Sequence, residues 1–164
     1  MYSLPISLNQ NAEGSSDSNP IVLHGTKSID FERLLTVAYP KKSPQHDLTT
    51  VEEWSSVLKL TFKWQFDDIR DLAVEQLKQE DVASLVEQNV LARVYQMEEW
   101  LMQARVKFCL KKKCPTVKEA RELGIDESTI LSRTLFSIRG NTFDWDHMNE
   151  HHIHRYLAVE VRSM

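Results

Sequence analysis

Glycine is scarce in this chain. Only four occur in 164 residues, Gly14, Gly25, Gly124 and Gly140, each more than ten positions from the next. No Gly-rich loop can therefore wrap a run of backbone N–H groups round a phosphate, which excludes P-loop and dinucleotide-binding chemistry. Cysteine is nearly absent too: Cys109 and Cys114 stand five apart with Lys111, Lys112 and Lys113 between them. That spacing fits neither a zinc knuckle nor a redox C-x-x-C, and so few cysteines point to a reducing compartment. No apolar stretch of about 18 residues exists to span a bilayer, and no charged segment followed by an apolar run opens the chain. Excess basic charge is also missing, with 20 Lys+Arg against 24 Asp+Glu and a net charge of −4. Without a basic platform for a phosphate backbone, direct nucleic-acid binding is not expected. These absences describe an intracellular protein, cytoplasmic or nuclear, with no membrane partner.

What is present is helical periodicity. After a polar leader over residues 1–19, Pro20-Ile21-Val22-Leu23-His24-Gly25 is a β-branched run bounded by Pro and Gly and reads as one strand. From Ser28, expected as a cap, Phe31, Leu34, Leu35 and Ala38 recur at helical spacing up to Tyr39, where Pro40 disfavours further helix. Thr50 with Glu53 forms a capping box ahead of Trp54, Val57, Leu58 and Phe62. Asp67 or Asp68 caps a helix carrying Ile69, Leu72, Ala73 and Leu77. Helices are expected over residues 81–95 and 98–110, the second with Trp100, Leu101, Ala104 and Phe108. A second capping box, Thr116 with Glu119, leads to Gly124 at a helix end. Asp126 opens a helix through Ile130, Leu131 and Leu135, and a last one spans residues 146–161. The core anchors are Trp54, Leu58, Trp64, Leu72 and Trp100, since aromatics on apolar helical faces serve as core.

Four motifs in register carry a family resemblance. They are Pro20-Ile21-Val22-Leu23-His24-Gly25 with Asp30-Phe31-Glu32-Arg33-Leu34-Leu35 up to Tyr39-Pro40; Glu53-Trp54 with Val57-Leu58-Lys59-Leu60; Lys63-Trp64-Gln65-Phe66-Asp67-Asp68-Ile69-Arg70; and Val90-Leu91-Ala92-Arg93-Val94-Tyr95 leading to Glu98-Glu99-Trp100-Leu101. Over about eighty residues the chain resembles a BTB/POZ domain of the kind abundant in mushroom-forming fungi. The resemblance implies a mainly α fold, the back half of an α+β BTB/POZ-like domain with one residual strand, followed by a helical extension. It divides the chain into a leader (1–19), a partial BTB/POZ-like domain (20–79) and an extension (80–164). The front half of the family fold, with most of its dimer interface, is not matched. The implied function is non-enzymatic protein–protein interaction, at its sharpest as a cullin ubiquitin-ligase adaptor. Partners are a cullin scaffold or another BTB chain, and the interaction residues are Phe31, Leu34, Leu35 and Tyr39. The loop with Lys41, Lys42, Gln45 and His46 lies near the family's cullin-contacting surface.

Two alternatives stand beside this. His147-Met148-Asn149-Glu150-His151 fits H-x-x-E-H, which on a helix sets two imidazoles one turn apart on a zinc ion with the glutamate as base. His147 and His151 are thus the candidate metal pair of a zinc hydrolase, although no third ligand follows. An indirect role in transcription is the other alternative. No cofactor is expected. The three lysines at 111–113 sit where cations offset a helix dipole. Cys109 beside them reads as a small buried hydrophobe rather than a nucleophile.

Overall fold

Local capping sets where the helices begin. In the computed structural model, which describes residues 13–14, 16–40, 48–141 and 145–162, eight helices follow one another. They are α1 (Ser28–Ala38), α2 (Val51–Trp64), α3 (Asp67–Leu77), α4 (Leu85–Val94), α5 (Glu98–Leu110), α6 (Val117–Leu123), α7 (Ile125–Arg139) and α8 (Glu150–Arg162). The protein is mainly α, as the periodicity predicts. Capping boxes at Thr50–Glu53 and Thr116–Glu119 open α2 and α6. A third box, Ser84 with Glu87, opens α4. The helix expected from residue 81 therefore starts at Leu85, because turn residues precede a serine whose side chain accepts the Glu87 N–H. From inside α4, Gln88 reaches back to that turn and donates to the carbonyls of Ala83 (2.8 Å) and Lys78 (3.2 Å).

Other starts differ from expectation. Lys27, not Ser28, is the N-cap of α1, and Phe66 is that of α3, both without a side-chain cap bond. Asp67 and Asp68 fall in the first turn of α3, where their charge still opposes the helix dipole. Between α6 and α7 the chain turns on Gly124 alone, at φ +84°, a conformation that residues with a Cβ rarely adopt.

Residues 20–25 form no strand. The β-pairing seen among the described residues is a single bridge between Ser16 and Asn19. The physical reason is that a strand needs a neighbour for its N–H and C=O groups, and the surrounding elements are helices. Ile21 and Val22 are left 63% and 55% exposed. Of the expected leader, residues 1–12 and 15 lie outside the described residues.

Two buried clusters make the core. The first joins Leu34 and Val37 of α1, Trp54, Val57, Leu58 and Leu60 of α2, Ala73, Val74 and Leu77 of α3, and Ala92, Trp100 and Leu101. The second joins Leu85, Val86, Val106, Phe108 and Cys109 to Leu123 of α6, to α7 through Leu131 and Ile138, and to Ile153 and Leu157 of α8. Helices α4 and α5 supply both clusters from different faces. Trp54, Leu58 and Trp100 are core anchors as expected, at 0%, 0% and 2% exposure. Leu72 and Trp64 are only partly buried against that core. No helix among the described residues is long and apolar enough to cross a membrane.

Candidate functional site

Helix α1 divides its apolar residues between two surfaces. Leu34 and Val37 point into the core, with Asp30 also buried beside Lys59 of α2 (3.6 Å). Arg33 tethers the same helix to α2 by donating to Ser56 Oγ (2.8 Å) and pairing with Glu52 (3.3 Å). Phe31, Leu35, Ala38 and Tyr39 border a groove instead.

That groove has a volume of about 480 Å³, and its lining comprises Leu23, Phe31, Leu34, Leu35, Ala38, Tyr39, Trp64, Phe66 and Ile69. None of these is charged. The far wall is made by the way α2 ends. Gln65 adopts the left-handed conformation at φ 59°, and the Phe66 N–H reaches back to the Thr61 carbonyl at 3.0 Å, a Schellman-type closure. This turn holds Trp64 and Phe66 edge to face at 6.3 Å, and Phe31 of α1 meets Trp64 edge-on at 5.8 Å. Lys63 pins the segment before α1 by donating to the His24 carbonyl (2.7 Å) and Thr26 Oγ1 (2.9 Å), which brings Leu23 to the groove.

All four residues singled out in the sequence as interaction residues, Phe31, Leu34, Leu35 and Tyr39, are thereby brought together. Their roles are unequal: Leu34 is floor at 2% exposure, Leu35 is 38% exposed, and Tyr39 stands at the rim at 74%. Trp64, expected as core, is groove wall. Lys41, Lys42, Gln45 and His46 lie outside the described residues.

The histidine pair is not assembled as the motif predicts. His147 lies in a turn, whereas His151 is in the first turn of α8. Asn149 intervenes as a cap, its Oδ1 accepting the His152 N–H at 3.1 Å. The helix starts after His147, so the two imidazoles are not one turn apart on a single helix. No group of three or more His, Cys, Asp or Glu among the described residues is placed to hold a metal ion.

One polar cluster went unnoticed in the sequence. Arg105 of α5 and Glu127 of α7 form a buried two-point ion pair, Nε–Oε1 at 2.8 Å and Nη2–Oε2 at 2.6 Å, at 6% and 1% exposure. Asn89 of α4 donates to the same carboxylate at 2.7 Å. Arg93 donates to the Leu123 carbonyl nearby. Burial pushes the Glu127 carboxyl up, but hydrogen bonds from Arg105 and Asn89 and the charges of Arg105 and Arg93 outweigh it and hold it below the usual range. The available signal was Glu127 itself, which falls at helical spacing with Ile130, Leu131, Thr134 and Ile138, all buried. Cys109 is buried, and its thiol is pushed up to about 12, chiefly by burial and then by Glu127. It is a hydrophobe rather than a nucleophile at neutral pH.

No protein-family model matches this chain, no curated protein matches it, and no solved structure matches it.

Proposed function

We propose that this protein is a non-enzymatic interaction module that receives apolar side chains of a protein partner in the groove bordered by α1, α2 and α3. One observation carries the reading: the four residues that the BTB/POZ resemblance marks for interaction line a single uncharged groove of about 480 Å³. Large exposed aromatic and aliphatic side chains gathered on one face are the composition of a docking surface rather than of ordinary surface. Tyr39 at the rim, Phe66 at 46% exposure and Leu35 supply the amphipathic and aliphatic anchors.

The resemblance assigns the occupant as the N-terminal domain of a cullin scaffold, with the chain acting as adaptor. Titration calorimetry of the full chain with that domain tests it. Tyr39→Ala and Leu35→Asp alter exposed side chains, so both variants are expected to fold. Loss of the Tyr39 ring at the rim is expected to weaken binding by about 1 kcal/mol, some fivefold, and a charge at Leu35 by more. Absence of heat with the native chain, or equal affinity in both variants, overturns the reading.

A further inference from the structure

The α1 groove has a segment of matching chemistry within the chain itself. Inside the otherwise polar leader, Tyr2, Leu4, Ile6 and Leu8 alternate with Ser3, Pro5, Ser7 and Asn9, and residues 1–12 carry no charged side chain. In extended backbone such alternation sets every second side chain on one face, here one aromatic and three aliphatic groups. The groove offers about 480 Å³ with no charged residue in its lining. Neither surface has an ionic side chain to desolvate when the two meet.

The turn ahead of α1 directs the chain toward that groove. Ser16 and Asn19 form an antiparallel bridge, and the Gly14 N–H donates to the Asn19 carbonyl at 2.6 Å. Gly14 lies at φ +77° against Ile21, so close that a methyl group placed on it would stand 2.8 Å from the Ile21 side chain. Pairing 16 with 19 and 14 with 21 is one register, and the chain traced back from Gly14 heads along residues 21–23. Leu23 is itself part of the groove lining. Continued in that register, position 12 falls opposite Leu23, and the four residues from there to Leu8 span at most about 14 Å.

We propose that residues 2–8 occupy the α1 groove of their own chain, with Leu4, Ile6 and Leu8 facing its apolar lining. The tether favours this occupant over a second copy, because a short linker holds the segment at an effective concentration on the order of millimolar. Seated there, the segment covers Leu35 and the other side chains that a docking partner needs, so a partner must displace it. That regulatory consequence rests on the docking role proposed above, whereas the seat itself does not.

The test uses the full chain with a nitroxide attached at Ser3→Cys in a Cys114→Ser background; Cys109 is buried and stays unlabelled. Methyl resonances of Leu35 and Ile69 are expected to lose most of their intensity and to recover it when the nitroxide is reduced. Those of Leu131 and Ile138, in the second core cluster, serve as the distant control. Adding Leu4→Asp with Ile6→Asp, which removes the apolar face and keeps the tether, should restore the Leu35 and Ile69 intensities. Undiminished intensities in the parent chain overturn the proposal, and so do losses that persist in the aspartate variant, since these come from the tether alone. Nitroxide-bearing chain mixed with isotope-labelled chain that lacks the nitroxide is expected to show no loss; a loss there assigns the seat to a second copy and equally overturns it. No partner is present in these samples, so their outcome is separate from an absence of heat with the cullin domain.

Discussion

Arg105 and Glu127 show how much one buried pair can decide at the scale of the residue. Each lies among apolar neighbours, Arg105 between Ala104 and Val106, and each is nearly inaccessible. The charges are tolerated because the carboxylate accepts three hydrogen bonds, two from the guanidinium and one from Asn89. Removing one partner strands the other charge, so Glu127→Gln is expected to cost about 3–5 kcal/mol in urea unfolding. The pH dependence has a definite sign. Because the folded carboxyl is held below its unfolded value, its contribution is complete above about pH 5 and is lost as pH falls through the folded value. The stability gap between wild type and Glu127→Gln should therefore narrow on acidification. A gap that is constant from about pH 6 down to pH 3 would exclude the pair as its source.

At the scale of the element, helix starts are written locally and strands are not. Thr50–Glu53 and Thr116–Glu119 are legible because the cap and its reciprocal carboxylate lie three residues apart. Ser84–Glu87 has the same form but was obscured by the apolar periodicity that begins at Val82. Ser84→Ala is expected to lower stability by about 1 kcal/mol, read as a shift in the thermal midpoint. Asp81→Ala should shift it little, since α4 starts after that residue. A larger loss in Asp81→Ala would restore the longer helix. The helix ends hold a further legible pattern: Trp64-Gln65-Phe66-Asp67-Asp68 and Tyr95-Gln96-Met97-Glu98-Glu99 each place a left-handed glutamine between two helices. In each, an apolar N-cap is followed by two first-turn carboxylates. Residues 20–25 illustrate the opposite case, since β-branched composition favours a strand only where another strand can pair with it.

The two core clusters set the behaviour of the whole molecule. Helices α4 and α5 contribute to both, through Ala92, Trp100 and Leu101 on one side and Leu85, Val86, Val106 and Phe108 on the other. Loss of packing in one cluster is thus transmitted through shared helices. Leu157→Ala on α8, which is fully buried in the second cluster, should cost about 2–5 kcal/mol. In a Trp145→Phe background, which removes the tryptophan packed against the second cluster, its urea transition by far-ultraviolet circular dichroism is expected to coincide with that by tryptophan emission, which then reports Trp54, Trp64 and Trp100 around the first cluster. An early dichroism transition with emission unchanged would mean that the two clusters unfold separately.

From the sequence alone came the helical class, most helix positions and the anchors Trp54, Leu58 and Trp100. Periodicity and capping act within a few residues, so the amino acids themselves determine them. Tertiary packing decided the rest. It sent Leu34 inward and left Leu35 and Tyr39 at a groove, set no strand among the described residues beside residues 20–25, buried Glu127 against Arg105, and kept His147 off the helix that holds His151. Those outcomes depend on which surfaces meet across the fold, and no local spacing encodes the identity of the opposing surface.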